Sequence, residues 1–230
     1  YKSYRACVRA KVAALQLQQS DTSQQKLRIR ELHQYMHWAD HYIAGLGRPK
    51  LFLIGGLTGT GKSALACALA CCTGAPLYST DEIRYATFGS SESRNQYGSG
   101  HYAPELRQQV YQMMFQAAKE SLDNGQSVVL DGTFPTNDLR GAAIQLGKDH
   151  GATPIYVECE CPRSLAIARI AERVEAGKSL SESRPEFFDR QLAEREEPFR
   201  SLQYIRLDTS NSIVRVLEDL ADHTRNVAKV

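Results

Sequence analysis

The residues with the clearest chemical potential in this 230-residue chain lie between Leu51 and Ser63. Gly56, four further residues, Gly61, Lys62 and Ser63 match the spacing of a phosphate-binding loop, with a predicted strand before it and a predicted helix after it. Glycines let such a loop curl so that successive backbone N–H groups point at a polyphosphate. The helix that follows adds the positive end of its dipole. The expected phosphate ligands are therefore Gly56, Leu57, Thr58, Gly59, Thr60, Gly61, Lys62 and Ser63.

The end of the loop and a later aspartate predict a site for ATP and Mg²⁺. Lys62 would contact the β- and γ-phosphates, and the Ser63 hydroxyl would bind the metal ion. Asp131 follows the apolar run Ser127–Leu130, and an aspartate at the carboxyl end of a buried strand holds Mg²⁺ or its water shell in such folds. A carboxylate that caps a turn is the alternative for Asp131, and a glycine-rich turn without a ligand is the alternative for the loop.

The composition excludes several classes of protein. Apolar residues make up 42% and charged residues 23% of the chain, as in soluble globular domains and unlike disordered ones. A net charge of +2 gives no reason to expect a long nucleic acid or an anionic membrane as partner, and no apolar run is long enough for a membrane span. Six cysteines are too few for a disulfide scaffold, so we expect reduced, buried thiols in a cytoplasmic protein.

From Lys50 onward, short apolar runs alternate with longer segments of helical pattern. The runs, each predicted to form a strand, are Leu51–Ile54, Pro76–Tyr78, Ser127–Leu130, Pro154–Cys159 and Tyr204–Leu207. The predicted helices include Ser63–Cys72, Pro104–Asp123, Thr136–His150, Arg163–Ala176, Pro185–Glu196 and Asn211–Asn226. Strands that alternate with helices predict a parallel sheet covered on both faces. Residues 48–230 are thus predicted to form a three-layer α/β domain with a five-stranded parallel sheet.

Residues 1–47 predict an all-helical appendage to that domain. Tyr1–Gln19 is compatible with one helix, and a second carries an apolar stripe at helical spacing, formed by Leu32, Tyr35, Met36, Ala39, Tyr42 and Ile43. Gly45, Gly47 and Pro49 end the helical pattern.

Three segments together resemble the P-loop kinases grouped with polynucleotide kinase and zeta toxin: Gly55–Ser63, Ser79–Arg84 and Val129–Phe134. The chain looks more closely like the ATP-binding domain at the C-terminus of bacterial proteins whose N-terminal half is aminoglycoside-phosphotransferase-like. Tyr1–Lys11 resembles the closing helix of that upstream domain, which implies that such a domain precedes this chain in the full-length protein. The resemblance also implies a P-loop kinase fold with a mobile lid, and transfer of the ATP γ-phosphate to a hydroxyl.

The resemblance assigns roles on the acceptor side of the site. In the family, the aspartate after the second strand orients and deprotonates the acceptor hydroxyl, and an arginine three residues later holds the acceptor; Asp81 and Arg84 match these positions. An acceptor hydroxyl does need a carboxylate within hydrogen-bond reach, opposite the γ-phosphate. The alternative is that Ser79 and Glu82 form a capping box and that Asp81 adds favourable charge to the first turn of a helix. Both can hold together.

Residues after the fourth predicted strand match the lid and the base site of the related kinases. In those kinases, arginines here close over the phosphates, and Arg169 and Arg173 lie one turn apart on one helix face. The alternative is a solvated face in which Glu172 and Glu175 are interleaved. Asp208, after the last strand, stands where related kinases form part of the adenine pocket, or it caps the final helix.

Two functions remain open at this stage. The first is an ATP-dependent kinase acting on a small-molecule or nucleotide acceptor; the second is an ATP-binding or ATP-hydrolysing regulatory module serving the upstream domain. Asp81 with Arg84 favours the kinase, because a switch has no need of a carboxylate that activates an acceptor. The stretch Phe88–His101, expected to form a mobile loop beside the acceptor site, also favours an enzyme.

Overall fold

The computed structural model of the protein describes residues 2–19, 22–44, 48–89, 104–175, 185–198 and 204–227. The chain divides into two compact units, Tyr1–Arg48 and Pro49–Val230. Most of the loop predicted over Phe88–His101 lies outside the described residues. Within the described part of the chain, no helix is long and apolar enough to cross a membrane.

The first unit consists of two helices, α1 (Lys2–Gln19) and α2 (Thr22–Ala44), that pack against each other. Three small side chains at helical spacing are buried on α1: Ala6, Ala10 and Ala13. The guanidinium of Arg9 donates a hydrogen bond of 3.3 Å to the Tyr35 hydroxyl and lies over its ring. The predicted all-helical character of these residues is confirmed.

The second unit alternates strands and helices along the chain. Its elements are β1 (Lys50–Gly55), α3 (Lys62–Thr73), β2 (Leu77–Ser79), α4 (Thr80–Phe88), α5 (Pro104–Asp123), β3 (Val128–Asp131), α6 (Asn137–Asp149), β4 (Thr153–Glu160), α7 (Arg163–Glu175), α8 (Pro185–Glu194), β5 (Tyr204–Asp208) and α9 (Ile213–Val227). The five strands are all parallel, in the order β2-β3-β1-β4-β5. The predicted α/β fold with a five-stranded parallel sheet is confirmed.

Both faces of the sheet are buried, which produces the three layers. Side chains of a strand alternate between the two faces. On β1, Leu51 and Leu53 join a core shared with α5 and α6, whereas Phe52 and Ile54 join a second core shared with α3 and α9. A parallel sheet buried on both faces requires nearly continuous apolar runs, as the sequence shows here.

The expectation that the thiols are buried holds for Cys159 but is wrong for the exposed Cys7 on α1 and for α3. Three cysteines on that helix are exposed: Cys67, Cys71 and Cys72. The buried face of α3 carries Leu65, Ala66 and Leu69. An α-helix turns by about 100° per residue, which places Cys67 and Cys71 on the face away from the sheet. Cys72 follows Leu65 by two turns and is exposed next to Thr73, where the helix ends. The helix is apolar on more than its packed face, so composition alone did not identify the buried side.

The strand order places one strand end at the centre of the functional edge. The carboxyl ends of parallel strands lie at one edge of the sheet. Ligands bind at this edge between two adjacent strands from which the chain continues in opposite directions. β1 lies between β3 and β4, so the loop that follows Gly55 emerges from the middle of the sheet. Asp131 on β3 pairs with Ile54, and Glu158 on β4 pairs with Gly55. Both acidic residues therefore lie beside the end of β1.

Candidate active site

The loop between β1 and α3 packs tightly against the segments around it. Gly56, Gly59 and Gly61 have positive φ angles of 136°, 79° and 86°. A Cβ atom on Gly56 would lie 2.6 Å from the carbonyl oxygen of Cys159, and one on Gly59 would collide with that of Ala166. Glycine is therefore required at both positions, for backbone conformation and for space.

Hydrogen bonds hold the loop from several directions. Within the loop, the Thr60 hydroxyl donates to the carbonyl oxygen of Leu57 at 2.8 Å. From beyond β5, the Thr209 hydroxyl donates to the carbonyl oxygen of Thr60. The N–H group of Thr58 donates to Oε1 of Gln191, on α8, at 2.8 Å. Elements distant in sequence therefore contact the phosphate-binding loop directly.

Two cavities share Lys62 as a lining residue. One, called here the α7 cavity, has a volume of about 400 Å³ and is lined by Gly61, Ser63, Arg169, Arg173, Thr209 and Ile213, among others. The other, called here the α4 cavity, has a volume of about 60 Å³ and is lined by Thr58, Asp81, Arg84, Arg107, Phe187 and Arg195, among others. The amino group at the end of the loop thus stands between a larger and a smaller binding space.

Asp131 is buried beside the loop, with only 4% of its surface exposed. It ends β3, and its strand partners are Ile54 and Ser79. The Ser79 hydroxyl donates to Oδ2 at 3.3 Å, whereas the buried Oδ1 has no hydrogen-bond partner among the described residues. Burial raises the pKa of Asp131, and the charge of Lys62 and the Ser63 hydroxyl offset part of the rise.

An unsatisfied, buried carboxylate oxygen near a hydroxyl fits a hard cation. Mg²⁺ prefers oxygen ligands and keeps several of its waters, so it needs only one or two protein ligands when phosphate is present. Ser63 and Asp131 are suited to that role. The described residues contain no cluster of three or more histidine, cysteine or acidic side chains that could hold a metal ion without such help.

Asp131→Asn is expected to stabilise the ligand-free protein at neutral pH by about 0.5–2 kcal/mol. The raised pKa means that the folded state binds this proton more tightly than the unfolded state does, so ionisation above the ordinary pKa of aspartate costs folding free energy. Asparagine removes the charge and retains an acceptor for Ser79. The gain should vanish as the pH falls below the ordinary pKa of aspartate, where the carboxyl is protonated in both states.

Urea unfolding of both proteins over a pH series, without nucleotide or Mg²⁺, measures this difference. A loss of stability in Asp131→Asn at neutral pH, or a gain that does not change with pH, would contradict it.

Asp81 lies in the first turn of α4, and its carboxylate lines the α4 cavity. Ser79 is the N-cap of this helix, because its Oγ accepts a hydrogen bond from the Asp81 N–H group at 3.3 Å. Nη1 of the buried Arg84 donates to Oδ1 of Asp81 at 2.5 Å. The capping alternative is thus correct that Ser79 caps α4. Asp81 nevertheless lines the same cavity as Lys62.

Arg169 and Arg173 line the α7 cavity, one turn apart on α7. Arg169 donates from Nη2 to the carbonyl oxygen of Thr209 at 2.8 Å, and Arg173 donates from Nε to the carbonyl oxygen of Arg169 at 3.4 Å. Nη1 of Arg169 and Nη2 of Arg173 are buried and meet no acceptor in the described part of the chain. Buried donors without acceptors are costly unless a ligand supplies them, so this wall suits an anion.

Asp208 is exposed at the end of β5, and its Oδ1 accepts a hydrogen bond of 2.8 Å from the Ser210 N–H group. It is not among the residues that line the α7 cavity, to which the same segment contributes Thr209 and Asn211. At the start of α9, it is the Ser212 hydroxyl that accepts from a backbone N–H group, at 3.5 Å. The structure therefore brings the neighbours of Asp208 into the cavity.

No motif in the sequence points to four of the residues that line the α4 cavity. They come from α5, from α8 and from the residue after α8: Arg107, Phe187, Gln191 and Arg195. Arg195 is surrounded in sequence by Glu194, Glu196 and Glu197, a pattern typical of a solvated segment. No local signal could have distinguished it, because only the packing of the chain brings it to the cavity.

Comparisons with known proteins are consistent with this fold. Residues 51–198 match the AAA domain family. Over 176 residues, or 75% of this chain, the sequence is 31% identical to uncharacterized proteins of Mycobacterium tuberculosis (strain ATCC 25618 / H37Rv) and Mycobacterium bovis (strain ATCC BAA-935 / AF2122/97). The match covers 34% of each relative, so the chain spans about a third of the length of these curated relatives.

Solved structures with the same fold include several kinases. A sugar kinase from Janibacter sp. HTCC2649, solved without ligand, superposes with a TM-score of 0.59 at 15% identity, over 78% of this chain and 95% of that one. An APS kinase of Mycobacterium tuberculosis, solved in complex with AMPPNP and APS, superposes with a TM-score of 0.54 at 19% identity. That superposition covers 77% of this chain and 98% of the APS kinase chain. At these identities the likeness establishes the P-loop kinase-like fold.

Proposed function

The chain belongs to the AAA domain family, and we propose that it is an ATP-dependent phosphotransferase that moves the γ-phosphate to a hydroxyl of a small molecule or a nucleotide end. The observation that carries the proposal is the meeting of two cavities at Lys62. The phosphate-binding loop contributes to both cavities; one is also lined by the arginine pair, and the other by Asp81. A module that only binds or hydrolyses ATP has no use for the second cavity.

The α7 cavity suits the nucleotide. The loop and Lys62 would bind the β- and γ-phosphates, and Arg169 and Arg173 would donate to phosphate oxygens from the two nitrogens that lack acceptors among the described residues. Ser63 and Asp131 would hold Mg²⁺, which supplies charge neutralisation on the phosphates. Thr209, Asn211 and Ile213 line the same cavity and would contact the rest of the nucleotide.

The α4 cavity suits the acceptor. Asp81 would accept the proton of the acceptor hydroxyl as that oxygen bonds to the γ-phosphorus and the bond from phosphorus to the β–γ bridging oxygen breaks, which leaves ADP. Arg84 orients the carboxylate through its 2.5 Å contact. Lys62, which lines both cavities, would neutralise charge on the transferred phosphoryl group.

We assign the chain, within its family, to the polynucleotide kinase and zeta toxin group. We also propose an aminoglycoside-phosphotransferase-like domain as the upstream partner of this kinase in the full-length protein. The resemblance of Gly55–Ser63, Ser79–Arg84 and Val129–Phe134 supports the first assignment, and the resemblance of Tyr1–Lys11 to a closing helix supports the second.

A screen of hydroxyl acceptors with ATP labelled on the γ-phosphate tests the proposed function. We expect the label in an acceptor, in a reaction that requires Mg²⁺. If the label appears only as inorganic phosphate across sugars, sugar acids, nucleosides and nucleotides, while the protein still binds ATP, the regulatory-module alternative replaces the kinase.

Arg173→Met is expected to lower the transfer rate roughly 10²-fold, the order of effect seen when one positioned donor is removed from a charged transition state. It should cost the ligand-free protein little stability, because Nη2 of Arg173 has no acceptor within the described residues. Arg163→Met is the matched control on the same helix: Arg163 is exposed, is paired with Asp189 and lines neither cavity. Equal rates for Arg173→Met and Arg163→Met would show that Arg173 belongs to a solvated face.

A further inference from the structure

The α4 cavity is lined by more positive than negative side chains. Its charged lining residues are Lys62, Arg84, Arg107 and Arg195 against Asp81. Lys62 is assigned to the phosphates of the nucleotide and Arg84 to Asp81. Arg107 lies 3.5 Å from Glu194, which leaves Arg195 as the guanidinium to be explained. The hydroxyl of an acceptor does not by itself require this guanidinium.

Arg195 is held at one edge by a buried carboxylate. Its side chain is 13% exposed, and its Nε lies 3.0 Å from Oε1 of Glu158, which is 2% exposed. The other oxygen of Glu158 accepts a hydrogen bond of 2.7 Å from the Tyr156 hydroxyl. Nη2 of Arg195 is buried and meets no acceptor in the described ranges. Nε is close to Glu158 but makes no hydrogen bond among the described residues either, and Nη1 lies 4.0 Å from the exposed carboxylate of Glu197. The two ion pairs therefore leave buried N–H donors of this guanidinium for another group.

The backbone around Arg195 is fixed by a second, fully buried arginine. Arg140 donates from Nε to the carbonyl oxygen of Phe134 at 2.9 Å and from Nη2 to that of Glu196 at 2.7 Å. The Glu196 N–H group donates to the carbonyl oxygen of Pro135 at 2.9 Å. The segment after α8 is thereby tied to the segment after β3, which also lines the α4 cavity. A guanidinium positioned in advance loses little conformational freedom when it binds a ligand.

We propose that the acceptor carries an anionic group, a carboxylate or a phosphate, in addition to the hydroxyl that is phosphorylated, and that Arg195 binds this group. The inference rests on the proposed function and narrows its substrate class. A planar guanidinium matches the paired oxygens of carboxylate and phosphate, and its hydrogen bonds to an anion are stronger than those to a neutral hydroxyl. Arg107, which is ion-paired with Glu194, also lines this cavity.

Matched acceptors test the class directly. Each set shares a hydroxylated skeleton: glucose with gluconate and glucose 6-phosphate, glycerol with glycerate and glycerol 3-phosphate, and adenosine with AMP. ADP formation above the rate without acceptor is measured at saturating ATP and Mg²⁺. We expect kcat/KM to be roughly 10- to 100-fold higher for an anionic member than for its neutral partner, the factor that corresponds to a charge-assisted hydrogen bond. Within the glucose and glycerol sets, comparison of kcat/KM for the carboxylate and the phosphate identifies which anion is preferred.

Variants of Arg195 separate binding from folding. Arg195→Lys keeps a positive charge opposite Glu158 and removes the second donor of the fork, and a Glu158→Gln/Arg195→Met double variant removes both buried charges together. For both variants we expect the KM of the anionic acceptor to rise roughly 10- to 100-fold with a smaller change in kcat, and the preference for the anion to shrink. Arg215→Met, which removes an exposed, ion-paired guanidinium on α9, is the matched control.

A binding measurement keeps this inference separate from the proposed function. With AMPPNP and Mg²⁺ saturating the nucleotide side, inorganic phosphate should raise the thermal midpoint of the wild-type protein and of Arg215→Met, but not that of Arg195→Lys. If no acceptor is phosphorylated but this Arg195-dependent shift occurs, the anion site stands and the kinase proposal fails. Phosphorylation of neutral acceptors as efficiently as anionic ones, or a phosphate shift that Arg195→Lys leaves intact, would overturn the inference.

Discussion

Asp81→Asn is expected to lower phosphoryl transfer to the acceptor by roughly 10²–10⁴-fold, the usual range for the loss of a positioned general base. Asparagine is nearly isosteric with aspartate, but it cannot take up the proton of the acceptor hydroxyl. The affinity for nucleotide should be unchanged, because Asp81 lines the α4 cavity and is absent from the described lining of the α7 cavity. The measurements are the rate of label transfer from ATP and the dissociation constant of AMPPNP.

Glu82→Gln is the matched control for this prediction. Both acidic residues lie in the first turn of α4, and Glu82 is exposed. If Asp81 acts only as a favourable charge at the helix N-terminus, both substitutions should leave transfer nearly unchanged. The lost dipole interaction costs at most about 1 kcal/mol of stability in either variant, and Asp81→Asn in addition weakens the contact with Arg84. Ser79 supplies the cap in both variants. Full transfer by a folded Asp81→Asn protein would remove Asp81 from the catalytic residues and favour the regulatory module.

Lys62→Ala is expected to remove most nucleotide-dependent activity, with a fall in kcat of roughly 10²–10³-fold. Lys62 begins α3 at the end of the phosphate-binding loop and lines both cavities. Its amino group is therefore placed to contact the phosphoryl group both on the donor and during transfer to the acceptor. The loss should appear in nucleotide affinity as well, because the same charge contacts the phosphates of bound ATP. Titration with AMPPNP and single-turnover transfer measure the two effects separately.

A lysine elsewhere on the surface serves as the control. Lys148→Ala removes an exposed lysine from the last turn of α6, away from the residues that line the cavities. We expect its nucleotide affinity and transfer rate to equal those of the wild-type protein. Wild-type affinity and turnover in a folded Lys62→Ala protein would contradict the assignment of this loop as the phosphate site.

The local features of the site could be predicted because local geometry produces them. The glycine spacing from Gly56 to Gly61 requires a particular backbone path whatever surrounds it, and the observed positive φ angles match that requirement. The strands and helices of the α/β unit follow from apolar periodicity, which depends only on neighbours in sequence. The same reasoning was wrong for the cysteines of α3, where apolar composition does not say which face of a helix meets the sheet.

Which further residues line the two cavities, beside the loop, Asp81, Arg84 and the pair Arg169 and Arg173, was decided only by the tertiary structure. The order of the strands brings Ser79 to Asp131 across 52 positions of sequence, and the docking of α8 brings Gln191 to Thr58 across 133. Arg195 lies among glutamates that suggest a solvated segment, yet it is held against a buried carboxylate by backbone ties that Arg140 makes. Local sequence specifies backbone conformation and amphipathic faces, whereas long-range packing decides which faces meet. That is why the phosphate-binding loop could be predicted from the chain alone, whereas the residues that α5, α8 and the segment after α8 contribute to the α4 cavity could not.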